Sequence, residues 1–535
     1  MPIRIRSDSG SGVEITTSKI PHGSVLTNIT TQPRTSDDGG SRGGVRERRV
    51  LRAGPLAGRY PPVAAMVVLF LVPYLVLSAA LQPIAPLIAA TLHMSPQTTS
   101  LASGMGNAAY AVGTVVAVQF AQHLPQRRMM VGYAAVLVIG SVLAAAAPDA
   151  AVFITGHVLQ GLCTSLLLIA AAPPLFLGFP AAKFRWTSGI MDMCIFGAVA
   201  AGPLIGGVQA SYHLWRPLFW IGAGIAGLAL VLALLTFEDV PPADLTAPRD
   251  ARAIGLAAGG AVAAFWGASE LTTHRFLDPV AIGPLLGGLV LIIVLWVYQY
   301  RGTNTLLTLR PLASTIPVTG IVAAICGAAA SVSAIALTSA TLAREYTPLH
   351  LGLLYLPELG GAVLTAIAFG VLVTSKLLHY YTLFGMACLA AGILVIRGAI
   401  PPTAALTLTG SALIGVGVGA SVAPALFLAG FSLRAANIQR VFAILELMRA
   451  MAAFMIVPIL LHFATTLAGS PTSAMNTALW VCFGIAAGGA VAGVLLYVLG
   501  GARPPTPSLE MFMSGQGPGW ESPPLLARLR RQRSR

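Results

Sequence analysis

Apolar residues dominate most of this chain in long runs with short polar breaks, and few stretches alternate as an amphipathic surface element would. Runs long enough to cross a bilayer lie at roughly 63–91, 100–121, 129–147, 151–177, 186–209 and 217–236. Two more follow at about 253–271 and 280–299, and the last six near 313–341, 351–374, 378–397, 403–430, 441–466 and 475–499. A spanning helix needs about 20 apolar residues, so the pattern predicts an all-α polytopic membrane protein of about 14 helices. The first, ninth and twelfth runs exceed what the hydrocarbon core requires, and such helices tilt or project beyond it.

The polar breaks organise these helices. The longest internal one, FEDVPPADLTAPRDAR at 237–252, follows the sixth helix, and YRGTNTLLTLRP at 300–311 follows the eighth. The expected arrangement is therefore two six-helix bundles, 61–236 and 311–500, with a cytoplasmic linker and two extra helices at 237–310. Two six-helix halves are how one large class of carriers encloses a central cavity. Residues 1–60 are polar, rich in Gly, Ser, Thr and Arg, and read as a disordered basic cytoplasmic tail with no cleavable leader. An over-long start is the alternative for that stretch. Residues 501–535 read as a second basic cytoplasmic tail.

Composition agrees with lipid as the main solvent. The chain is 56% hydrophobic and 9% charged, against roughly 25% charged residues in soluble domains. The net charge of +14 would suit nucleic acid, but the basic residues sit in the tails and singly or in pairs between apolar runs, which excludes that reading. With the N-terminus inside, the inner loops hold Arg127, Arg128, Lys183, Arg185, Arg249, Arg252, Arg301, Arg310, Lys376, Arg434 and Arg440, and the outer loops only Arg216, Arg275, Arg344 and Arg397. The positive-inside rule then places both termini in the cytoplasm of a multi-pass protein of the inner (plasma) membrane. The five cysteines form no CxxC pair, so neither a metal site nor a disulfide framework is expected. No GxxxxGK[ST] stretch supports ATP-driven pumping, and no cofactor is implied. A membrane-embedded enzyme would be expected to show a loop with histidine or paired carboxylates. The 237–252 loop has Glu238, Asp239, Asp244 and Asp250 but no histidine, and a sensor would need a larger soluble module. Transport is the favoured class.

Ionisable residues inside a bilayer cost several kcal/mol, so each is a functional candidate. Asp192 lies about two turns into the fifth helix, Glu358 about 12 Å into the tenth at 1.5 Å per residue, and His157 within the fourth. These three are the proton-coupling candidates. For His157 a satisfied hydrogen bond between helices, with Gln160 facing the same way, stands as the alternative. Glu446 and Arg449, three apart on the thirteenth helix, form a charge pair on one face that would neutralise itself near the inner surface. The fifth helix carries GAVAAGPLIGG, with Gly197, Gly202, Pro203, Gly206 and Gly207. Its glycines allow close backbone approach and its proline a bend, which suits a rocking interface or a fixed packing seam.

GPLIGG, followed by WRPLFW at 215–220, resembles the antiporter motif and succeeding aromatic stretch of the major facilitator superfamily, and within it the fourteen-helix drug:proton antiporter branch (EmrB/QacA type). HVLQGLCTSLLL at 157–168, GLLYLP at 352–357 and TLLTLRPL at 305–312 are similar to that branch's fourth helix, tenth helix and the segment entering the ninth; the likeness runs from about 63 to 499. Arg449 matches an arginine of the family's thirteenth helix. The family's second inner loop, GxLADRxGRR, is VQFAQHLPQRR here, with Gln122 at the aspartate position and Arg127 and Arg128 closing what the resemblance implies is a cytoplasmic gating loop. His157 stands where the fourth helix of the family carries an arginine, and the first helix has no membrane aspartate. The resemblance implies a major-facilitator fold and efflux of small organic compounds or drugs coupled to protons. The implied partners are substrate, protons, the lipid bilayer and a periplasmic adaptor protein. Uptake by proton symport is the nearest rival.

Overall fold

The computed structural model describes residues 54–237, 249–302, 305–307, 309–466 and 471–528. The expected N-terminal tail up to residue 53 lies outside the described residues, as do Glu238, Asp239, Asp244 and the arginines after Arg528. Among the described residues, fourteen helices are long and apolar enough to cross a membrane. They are α1 (Tyr60–Thr91), α2 (Pro96–His123), α3 (Gln126–Ala146), α4 (Ala150–Leu177), α5 (Ala181–Ser211), α6 (Arg216–Thr236), α7 (Ala251–Glu270) and α8 (Pro279–Arg301). They continue with α9 (Thr315–Leu342), α10 (Pro348–Leu372), α11 (Leu378–Ile396), α12 (Ala404–Phe431), α13 (Ala435–Thr466) and α14 (Thr472–Gly500). A short α15 (Leu509–Met513) follows. Most bounds fall within a few residues of those expected from hydropathy.

The helix starts carry their own instructions. Proline occupies the first turn of α1, α2, α6, α8 and α10, where its missing N–H would be unpaired anyway. Side-chain oxygens cap other first turns: Asp149 accepts from Val152 N at 2.9 Å and Asp250 from Ala253 N at 3.0 Å. Asp250 does more than cap. Its backbone N–H donates to Gln119 of α2 at 2.8 Å, and its carboxylate accepts from Gln299 of α8 at 2.8 Å. The residue weighed from sequence as a loop carboxylate therefore pins the extra helices to the first bundle.

Two helices are interrupted. In α5 a π turn, Met193–Gly197, follows Asp192 directly; such bulges often mark functional positions. In α10 the helix breaks at Tyr355, because Pro357 has no N–H and its ring excludes the carbonyl one turn earlier.

Among the first six helices, α4 packs on α2 and α3, α1 on α5 and α6, and α3 on α6; among the last six, α12 packs on α10, α11 and α9, and α9 on α13 and α14. The two groups meet along α5–α10 and α2–α13. The extra pair α7–α8 packs on itself, and α7 lies against both α2 and α13. Large apolar side chains such as Leu364, Ile367 and Val371 face outward, as a lipid-facing surface requires.

GPLIGG sits at a three-way contact. Gly202 and Gly206 press on α1, where a Cβ on Gly206 would come within 2.6 Å of Pro83 Cγ and 2.9 Å of Ala80 Cα; a Cβ on Gly207 would come within 3.0 Å of the Pro348 backbone on α10. Overpacking of this kind costs roughly 1–3 kcal/mol. Gly206→Val and Gly207→Val should therefore lower the thermal unfolding midpoint of the purified protein. Gly224→Val, whose Cβ would meet nothing within 4 Å, should leave it unchanged.

A candidate polar site between the helical halves

A line of polar and aromatic side chains crosses from the last six helices into the first six. It begins on α13 with Arg449, whose Nε donates to Glu446 Oε2 at 2.9 Å and whose Nη2 donates to Glu446 Oε1. Tyr110 of α2 donates its hydroxyl to the same carboxylate at 2.7 Å. The Tyr110 ring stacks on Tyr74 of α1 with centroids 5.9 Å apart, and Tyr74 lies 5.5 Å from the ring of His157 on α4. His157 Nδ1 faces Gln160 Oε1 at 3.3 Å, and Gln160 donates to Ser141 Oγ of α3 at 3.1 Å. Every residue named is buried; Glu446 and Arg449 are 3% and 5% exposed. Burying two charges is repaid only by good geometry and further hydrogen bonds, which the bidentate pair and Tyr110 supply.

Beside Glu446 lies a small cavity of about 20 Å³, on the order of one water-sized sphere. Asp192 of α5 lines it from the first half; Glu446, Ala423 and Leu426 line it from the second. Asp192 is 1% exposed, and neither carboxyl oxygen has a hydrogen-bond partner among the described residues. A buried charge without a partner costs far more than a paired one, so this carboxyl needs a proton or a visiting positive group.

Toward the end of the bundle that carries residues 54 and 501–528, here called the basic end, phenylalanines close the space. Phe176 (α4) and Phe184 (α5) meet Phe427 and Phe431 (α12) and Phe442 (α13). Phe176–Phe427 centroids are 5.2 Å apart, Phe184–Phe431 5.5 Å and Phe427–Phe442 5.6 Å. Edge-on aromatic pairs contribute about 0.5–1.5 kcal/mol each beyond area burial, and this plug joins the halves without polar groups.

The sequence candidates are thus partly assembled. Asp192 and Glu446 share the cavity, and His157 joins the line through Tyr74 and Tyr110. Glu358 is elsewhere: it is buried on α10 one turn past the break, with its backbone against Gly415 of α12, and it does not line this cavity. The Glu446–Arg449 pair forms as expected, but its depth does not agree with a place near the surface. The regular turn of α13 begins at Ile438, eleven residues before Arg449 and so roughly 16 Å away along the axis. Its polar first turn, with Gln439 and Arg440, hid that start from hydropathy. Gln122 is buried at the end of α2, Arg128 is exposed, and Arg127 donates to the Leu234 carbonyl of α6 at 3.3 Å, a contact within the first half. From sequence Tyr74 could either line a cavity or face the bilayer, and it lies inside the bundle; sequence reasoning missed Tyr110, for which a lone tyrosine in an otherwise apolar span was the available signal. Among the described residues no cluster of three His, Cys, Asp or Glu side chains could hold a metal ion.

Residues 66–316 match the family described as Major Facilitator Superfamily. YubD of Bacillus subtilis (strain 168), named as an uncharacterised MFS-type transporter, is 26% identical over 318 residues, 58% of this chain and 61% of its own length. The tetracenomycin C resistance and export protein of Streptomyces glaucescens is 25% identical over 296 residues, 53% of this chain and 55% of its own length. The matched regions thus span less than two thirds of either relative. The crystal structure of a POT family transporter in complex with a thioalcohol-conjugated peptide superposes with a TM-score of 0.58, at 14% identity, over 82% of this chain and 95% of that one.

Removing one partner of a buried ion pair costs about 3–5 kcal/mol, whereas replacing both is often near neutral. Arg449→Met should therefore lower thermal stability sharply, and Glu446→Gln combined with Arg449→Met should recover most of the loss. Unfolding of the three purified proteins in one detergent measures this.

Proposed function

We propose that this chain is a member of the major facilitator superfamily and a secondary active transporter, exporting small organic compounds in exchange for protons by alternating access. The observation that carries the proposal is Asp192, a buried and unpartnered carboxyl at a cavity between the two halves. While the cavity is closed, a proton neutralises it. When the halves part, water reaches the carboxyl and the proton leaves, and proton and cargo compete for the same space. Glu358, beside the break in α10, is the second coupling group, and His157 with its tyrosines is the path that links α4 to Glu446. The GPLIGG face of α5 supports rocking, because its glycines bring α5 against α1 and α10 with little side-chain interlocking.

The direction is inferred from the likeness to a protein named for resistance and export and from the antiporter-like motif. The basic end faces the cytoplasm under the positive-inside rule, which makes the protein an inner-membrane carrier; a periplasmic adaptor is the further partner this reading admits. One proton moving through about 100 mV yields about 2.3 kcal/mol, enough for a roughly fifty-fold cargo gradient.

Inverted vesicles with an imposed pH gradient test the reading. The wild type should accumulate an exported compound, and Asp192→Asn should reduce gradient-driven accumulation by about tenfold or more, the change that corresponds to ~1.4 kcal/mol. Glu358→Gln should reduce it as well. Full gradient-driven accumulation in both variants would remove these carboxyls from the coupling; accumulation only in right-side-out vesicles would favour uptake by symport.

A further inference from the structure

The segment after α14, expected to be a basic cytoplasmic tail, is docked in its described part. Gly501 takes φ +65, a left-handed conformation that glycine reaches without strain, and the Ala502 N–H returns to the Tyr497 carbonyl at 3.2 Å. That helix ending turns the chain back beneath the bundle. The segment then pairs with the basic ends of the last six helices. Gly519 N donates to the Phe431 carbonyl at 2.7 Å, Thr315 N to the Pro523 carbonyl at 3.0 Å, and Ile316 N to Ser522 Oγ at 2.9 Å. Trp520 donates its indole N–H to Ser432 Oγ at 2.9 Å.

Two aromatic anchors decide where it sits. Phe512 is fully buried and Trp520 is 4% exposed. Both rings stand edge-on to Phe431, with centroids 5.1 and 5.2 Å away. Phe431 is itself part of the aromatic plug through Phe184 of α5. On its other side α15 packs against the 3-10 turn Ala181–Lys183 that opens α5. The segment is thus hydrogen-bonded to one half, rests on the other, and backs the residue that joins them.

We propose that residues 503–526 are a strap that holds the basic end closed. Separation of the halves at that end moves Phe184 and the 181–183 turn away from Phe431, and it must break the contact with α15. The strap therefore adds to the free energy of opening there and sets how often the cavity at Asp192 meets the basic side. This inference rests on the alternating-access reading.

The test uses the full chain in nanodiscs, where both faces are reachable. Its five native cysteines are replaced by alanine, and Met191→Cys is added as a reporter at the cavity wall. Phe512→Ala and Trp520→Ala should each raise the rate of labelling by a soluble maleimide about fivefold, the effect of a modest shift between closed and open populations. A second reporter, Ile205→Cys toward the far end, should label no faster. Faster labelling at both positions would mean general loosening and would overturn the strap. Unchanged labelling at Met191→Cys, with Phe512→Ala and Trp520→Ala as thermostable as the parent, would overturn it too. Failure of the coupling reading is distinguishable, because it appears as gradient-driven transport that survives Asp192→Asn, whatever the strap variants do.

Discussion

Hydrocarbon offers no hydrogen-bond partners, and this one constraint shapes every level of the molecule. Backbone groups satisfy themselves within helices, because no other open structure can do so in lipid. Side-chain polar groups then have to find partners inside the bundle. The line from Arg449 and Glu446 through Tyr110, with Gln160 and Ser141 beyond His157, is the outcome. It draws residues from α13, α2, α4 and α3 into one interior strip, with the Tyr74 ring of α1 between them.

Against that background Asp192 is the exception that carries meaning. Its oxygens are unpartnered, and it stands across a small cavity from a carboxylate that already has three donors. Asp192 lies beside a π turn and at the seam between the halves, so a local backbone irregularity, an unpartnered carboxyl and a cavity coincide.

The two halves are held together by unlike means. At mid-depth the Tyr110–Glu446 hydrogen bond crosses the seam. Toward the basic end the phenylalanine plug and the docked C-terminal segment do so by burial of aromatic surface. Along α5 and α10 it is the lack of side chains that matters, since Gly207 and Gly352 let the helices approach backbone to backbone. Hydrogen bonds and ring contacts are discrete and can be exchanged one set at a time, which is what a two-state interface needs. The extra helix α7 touches α2 and α13 across the same seam, so the inserted pair is part of the interface and more than a spacer between bundles.

Hydropathy and charge by themselves determined the helix count, the approximate ends of nearly all spans and the all-helical class, because lipid imposes a length and an apolarity that a run of residues either meets or does not; the family likeness came from motifs such as GPLIGG. They also singled out Asp192, Glu358, His157 and the Glu446–Arg449 pair, since a charge in an apolar run is conspicuous. Only the tertiary structure decided which of these meet. Asp192 joins Glu446 at a cavity while Glu358, no less conspicuous in sequence, packs apart against α12. Tyr110, the π turn and the docking of Phe512 and Trp520 had no comparable signature, because their roles arise from neighbours tens to hundreds of residues away in the chain, and a hydropathy profile does not say which helices meet.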